Sequence, residues 1–209
     1  MKKSFLTSLS LVVFAASVSF AHANNGGLPP GARVVTEPND KTAADSSAEY
    51  VLEATLSNED GRGTVQVSKR QDDGTYAIVP GLSTEDCPAR GSHKMQISSH
   101  RVKTPQGLQP VVGSAKYAVF QGEYEANMPW GTFFNAVNDN PIGVHTGPLD
   151  SISHACIRVP VDCAHGIYNL VNVEGNTNNA RPSFLPDEAS GKPRTVKPGV
   201  MDVVVKWVN

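Results

Sequence analysis

Long apolar runs, basic stripes and repeats are all missing from this chain of 209 residues. A lasting membrane helix needs about 20 consecutive apolar residues, and none is present. Nucleic-acid binding leaves a footprint of clustered Lys and Arg, which is also missing, so neither a stable membrane anchor nor a nucleic acid is an expected partner. No internal repeat is evident. Cysteine is scarce: Cys87, Cys156 and Cys163 are the three in the chain, and an odd number leaves one without a partner. Segments with helical period are scarce too. With 39% hydrophobic and 18% charged residues, what remains is one domain of ordinary core size with some chain to spare.

The spare chain is at the beginning. Lys2-Lys3, the apolar-rich run Phe5 to Phe20 and the small-residue end Ala21-His22-Ala23 read as a secretory signal over residues 1–23 with its cleavage site. The run is too short and wrongly flanked for a span, and no cysteine at the cleavage point indicates a lipid anchor. Losing this segment's two lysines leaves 16 of the 18 basic residues against 20 acidic ones, a net charge near −4. Export to the periplasm is the expected location. Outside the cytoplasm a disulfide persists, so Cys87 and Cys163 pairing, with Cys156 left over, is one open reading. Two buried free thiols are the other, because sequence does not bring α-carbons within bonding distance.

Residues 24–49, rich in Gly, Pro, Asn, Asp and Ser, read as a flexible arm. From Tyr50 the domain 50–209 begins. Tyr50-Val51-Leu52 opens an apolar run, and Thr64 to Ser68 alternates with strand period. Asp72-Asp73-Gly74 marks a tight turn before Thr75 to Val79, so the two runs form a hairpin. Lys94 to Ser98, Val111-Val112, Tyr117 to Phe120 and Met201 to Trp207 read as further strands, and Lys103 to Gly107 as a turn. Trp130 to Val137 is aromatic and apolar and ends at the turn Asn138 to Pro141. Ile142-Gly143-Val144 is a short strand that delivers His145. One helix follows Pro160, with Asp162 as N-cap and Ala164, Ile167, Tyr168, Leu170 and Val171 on its apolar face. Residues 174–199 are loop-rich and long enough to form a lip. The sum is a mainly β domain with one principal helix.

The chemistry is concentrated between Gly143 and Pro160, where His145, Ser153, His154, Cys156 and Arg158 fall in one segment punctuated by glycine and proline. A thiol attacks carbonyls as its thiolate and needs a base to take its proton, with dipoles to hold the oxyanion. A second reading takes His145, His154 and Cys156 as zinc ligands. It requires an extended backbone from His154 to Cys156, so that both side chains point the same way. His93 and His100 belong to no pattern, and His165 is expected on the helix surface.

His145, then Ser153-His154-Ala155-Cys156-Ile157-Arg158, with Thr104-Pro105-Gln106-Gly107 upstream, resembles the catalytic signature of the L,D-transpeptidase family (YkuD-type domains) across roughly residues 65–173. These are enzymes that remodel bacterial peptidoglycan. The resemblance implies an L,D-transpeptidase-like β-sandwich or barrel with its helix just after the catalytic cysteine. It implies Cys156 as nucleophile, His145 as general base, the Thr146 carbonyl orienting the imidazole, and backbone N–H groups around His154 to Cys156 as the oxyanion hole. Ser153 and His154 would shape the pocket, and Arg158 would brace the loop or hold carboxylates. The implied substrates are peptidoglycan stem peptides; the implied reactions are cross-linking, D-amino-acid exchange or L,D-carboxypeptidase hydrolysis, with no cofactor and no metal. Two positions depart from the family pattern. Ala155 stands where the family has glycine, and the spacer Thr146 to Ile152 is short. A non-catalytic wall-binding protein that retains the fold is the alternative they raise.

Overall fold

The computed structural model describes residues 38–93, 96–98, 101–120, 126–137, 140–151, 153–182, 185 and 193–209. In chain order the strands are β1 (Tyr50–Ser57), β2 (Arg62–Arg70), β3 (Tyr76–Ile78), β4 (Pro88–Arg90), β5 (Gln96–Ser98), β6 (Arg101–Val102), β7 (Gly107–Pro110), β8 (Gly113–Phe120), β9 (Ala126–Val137), β10 (Asn140–Thr146) and β11 (Ile157–Val159). After helix α1 (Val161–Val171) come β12 (Thr177–Asn178), β13 (Arg194–Val196) and β14 (Met201–Val208). The domain is therefore mainly β, with one α-helix among the described residues. All strands but β5 and β6 join one curled sheet in the order β12-β13-β8-β9-β10-β11-β4-β2-β1-β14-β7, with β3 added beside β2.

Several strands form where hydrophobic alternation predicts them. Val65 and Val67 of β2 are fully buried, as are Leu52, Ala54 and Leu56 of its antiparallel partner β1. The expected hairpin is present, with Ser68 opposite Ile78 and Arg70 opposite Tyr76. The alternation divides the interior in two. Leu52, Val65, Phe134, Val144, Ile157 and the helix residue Ile167 belong to the main core. Their neighbours in sequence, Phe133 and Cys156, belong to a smaller cluster with Ala115, Met128 and Leu185. Successive strand residues project to opposite faces, so the sheet itself separates the two clusters.

Several local expectations are corrected. The helix N-cap is Pro160, and Asp162 lies inside the first turn, where its carboxylate still faces the positive end of the helix dipole. Val111 and Val112 connect β7 to β8 without joining a ladder, although Val111 is buried. Residues 174–199 contain two short strands: β13 pairs with β8 and β12 with β13. The last part of the expected arm is docked on the domain. Asn39 donates from Nδ2 to the Leu108 carbonyl and accepts from the Leu108 N–H, both at 3.0 Å. Ser46 donates to Asp202, and Ala48 is buried. The composition of that stretch signals turns, and turns can pack. The expected signal segment 1–23 lies outside the described residues.

Cys87 and Cys163 form a disulfide with α-carbons 5.7 Å apart. It ties the residue before β4 to the first turn of α1, and Cys156 is the free cysteine. No helix among the described residues is long and apolar enough to cross a membrane.

Candidate active site

Strands β10 and β11 run parallel and adjacent, with Val144 opposite Ile157, His145 opposite Arg158 and Thr146 opposite Val159. This register brings the two halves of the sequence motif together. Val144 and Ile157 turn into the main core, so by alternation His145 and Arg158 project from the other face. Cys156, which immediately precedes β11, is buried on that same face beside Phe133 and Met128. His145 is 6% exposed and Cys156 9%, which keeps bulk water from both.

The imidazole is held through Nδ1, 2.7 Å from the Thr146 carbonyl oxygen. A carbonyl can only accept, so Nδ1 carries the proton and Nε2 the lone pair, the tautomer a base requires. Burial pushes the His145 pKa down to about 4, against the Thr146 hydrogen bond that raises it; the charge of Arg158 lowers it further. Burial also pushes the Cys156 thiol up to about 11, opposed by the Gly143 backbone and the Arg158 charge. The two groups therefore rest neutral at pH 7.

Two partners of the thiol are absent from the sequence reading. The Sγ–H donates to the Pro141 carbonyl at 3.6 Å, and a hydrogen bond from the Gly143 backbone favours the thiolate. Both lie on β10, whose register against β9 shifts between Ile142 and Gly143. Bulges of this kind re-aim a strand's polar groups. Gly143 is required there, because a Cβ would collide with the Thr132 carbonyl and the Phe133 ring. A glycine inside a strand pattern is the one sequence signal that pointed to this close approach.

Ala155 has φ 132°, in the region where an L-residue is strained and glycine is at home. Residues 154–156 are bent rather than extended. His154 and Cys156 therefore do not share one side of a strand, which the zinc reading needed. Among the described residues no three His, Cys, Asp or Glu side chains converge as a metal site would require. Ser153 is buried and His154 half-exposed on the approach to the bend.

Arg158 extends along the spacer loop. Its Nη1 donates to the Pro148 carbonyl at 3.0 Å and to Ser151 Oγ at 2.9 Å. Its methylenes fill the space beside Gly147. The Thr104-Pro105-Gln106-Gly107 segment, expected as a turn, runs into β7 without a turn or bend, and it is tied to the same region indirectly. Gln109 donates from Nε2 to the carbonyls of Pro105 and Gln106 and accepts from Asn135 at 2.6 Å, and Asn135 is the β9 partner of Ile142. His165 is exposed on α1, as expected, with its ring 4.3 Å from that of Trp130.

Compared with known proteins, the chain matches no protein-family model and no curated protein.

Proposed function

We propose that this protein is an exported cysteine acyltransferase of L,D-transpeptidase type, acting on peptidoglycan stem peptides. The observation that carries the reading is the anchored imidazole. With Nδ1–H given to Thr146, the Nε2 lone pair is left for a proton on the face that also carries the Cys156 thiol. The disulfide Cys87–Cys163 suits a chain that leaves the reducing cytoplasm.

In this scheme His145 Nε2 takes the thiol proton as Sγ bonds to the carbonyl carbon of the third stem residue, a diamino acid in the family. Backbone N–H groups at the bend around Ala155 hold the oxyanion. The tetrahedral adduct collapses as His145 returns the proton to the departing terminal D-amino acid, leaving a thioester on Cys156. An amine acceptor then gives a cross-link or an exchange, and water gives a tripeptide. The short spacer Thr146 to Ile152 supports appreciable hydrolysis, because fewer contacts hold the amine. The resting neutral pair supports base catalysis concerted with attack rather than a preformed thiolate.

The non-catalytic alternative has one observation in its favour, the burial of the Cys156 thiol, which pushes its pKa up. Incubation with disaccharide-tetrapeptide, read by intact mass and product chromatography, separates the two. An acyl adduct on the wild type, absent in Cys156→Ser and His145→Ala and indifferent to chelator, supports the enzyme. A carbapenem probe that leaves Cys156 unmodified, together with no peptide turnover, would favour the binding protein.

A further inference from the structure

Trp130 stands in β9 at φ 56°, a left-handed conformation that a bulky L-residue adopts only under strain. Alternate residues of a strand normally share a face, yet Met128 is buried in the cluster of Cys156 while Trp130 packs against the main core. The strained residue makes that switch. A glycine would make it without strain, so what the strain retains is the indole.

The indole is the centre of an aromatic cluster at the surface. The His165 ring lies 4.3 Å from it, Tyr168 5.3 Å away in an edge contact and Tyr117 6.1 Å away. Lys116 Nζ stands 5.2 Å from the indole centroid and 5.6 Å from that of Tyr117. Lys116 and Trp130 fall between the cross-strand pairs Ala115–Gly131 and Tyr117–Pro129, so β8, β9 and α1 all contribute. Lys116, Tyr117 and His165 are exposed, Tyr117 at 45%, which packing alone does not require. The support beneath them is fixed. Asn169 Nδ2 lies 3.2 Å from His165 Nε2, Ser114 donates to Asn172 at 3.0 Å, and Asn172 donates to the Tyr168 carbonyl at 2.8 Å. Helix and sheet are thus locked together before any ligand arrives, which lowers the cost of binding one.

The chemistry of this patch selects its occupant. The rings offer flat apolar faces, while the tyrosine hydroxyls, the imidazole and the Lys116 ammonium offer hydrogen bonds at the rim. A pyranose matches both, with C–H groups on its face and hydroxyls around its edge. A quaternary ammonium would meet the Lys116 charge already beside the indole. A nucleic acid needs a row of phosphate contacts, and the chain, with 20 acidic against 18 basic residues, has no basic stripe.

We propose that Trp130, Tyr117, Tyr168, His165 and Lys116 form a sugar-binding platform for an N-acetylhexosamine glycan, whose acetamido group brings a methyl to the rings and an amide to the rim. Wall glycan as the natural ligand rests on the function proposed above; the platform itself does not. In that setting it holds the glycan whose stem peptide is attacked by Cys156.

The test is titration of the wild-type protein with chitohexaose, an N-acetylglucosamine oligomer, read by indole fluorescence and calorimetry. Chitohexaose should bind, change the indole emission and outcompete cellohexaose, which lacks acetamido groups. Tyr117→Ala, at an exposed position, should weaken binding about tenfold, the worth of one stacked ring, with an unchanged melting temperature. Tyr117→Phe should keep most of the affinity, and Cys156→Ser all of it. No binding of chitohexaose up to about 10 mM overturns the platform, as does binding that both Tyr117→Ala and Trp130→Phe leave unchanged. Parity with cellohexaose overturns the N-acetylhexosamine assignment, and a response to choline in place of chitohexaose overturns the sugar. A second arm compares acylation of Cys156 by disaccharide-tetrapeptide and by free tetrapeptide; the wild type should prefer the disaccharide form, and Tyr117→Ala should lose the preference. If neither peptide acylates Cys156 while chitohexaose binds at Tyr117, the acyltransferase falls and the platform survives. If both acylate equally and chitohexaose does not bind, the platform falls and the acyltransferase survives.

Discussion

Leu185 and Cys156 are buried in one apolar cluster, the leucine at 2% exposure and the cysteine at 9%. The leucine comes from the long segment after the helix and is held by its N–H on the Pro182 carbonyl and by Arg181 on its own carbonyl. Part of that segment therefore packs into the same buried cluster as the thiol. Leu185→Ala should raise the rate of Cys156 alkylation by iodoacetamide several-fold while lowering stability by about 2 kcal/mol, the low end for a buried leucine. Mass-resolved labelling and urea unfolding check the two effects, and an unchanged labelling rate would remove the leucine from the thiol's cover.

The buried imidazole makes stability depend on acid. In the unfolded chain His145 takes a proton below its ordinary value of 6.5, whereas in the fold it refuses one until about pH 4. Between those values the unfolded state binds more protons, so stability should fall as pH drops through the window, by about 3 kcal/mol in all. His145→Gln should flatten that part of the profile in urea titrations from pH 7 to 4.

The thiol gives the mirror image in base. Unfolded, it ionises near 9, and folded only near 11. Stability should therefore decline as pH rises across that interval and should not do so in Cys156→Ser. Over the same range the alkylation rate of the native protein should still be climbing, with no plateau near pH 9.

Ala155 occupies a backbone conformation that favours glycine, at φ 132°. Ala155→Gly should stabilise the fold by about 1 kcal/mol by releasing that strain, and should keep or raise the acylation rate of Cys156. A higher melting temperature with a large fall in acylation would mean that the methyl group contacts substrate.

The disulfide closes a loop between positions 76 apart in sequence. Chain-entropy arguments assign such a closure about 4 kcal/mol. Replacing both Cys87 and Cys163 by serine should cost stability of that order, and reductant should destabilise the wild type but not the variant.

Much of this was legible in the residues. Val65 and Val67 alternate with polar neighbours, Asp72-Asp73-Gly74 turns the chain, and Ala164, Ile167 and Val171 recur at helical spacing; each signal lies within a few residues. His145 and Cys156 stood out because thiol, imidazole and small turn-formers rarely crowd one short segment. The docking of Asn39 onto Leu108 and the strands hidden in 174–199 were not legible. Each depends on which distant backbone offers a partner, and composition does not carry that information.

The sequence by itself determined the alternation that makes strands, the turns between them and the crowding of thiol and imidazole into one segment, because these follow from side-chain chemistry and local backbone preference. Only the tertiary structure decided that Cys87 meets Cys163, that Gly143 and Pro141 face the thiol, that burial keeps His145 and Cys156 neutral, and that Trp130 meets His165. Register, burial and desolvation are properties of elements far apart in the chain, and they take a value only once the sheet has closed around them.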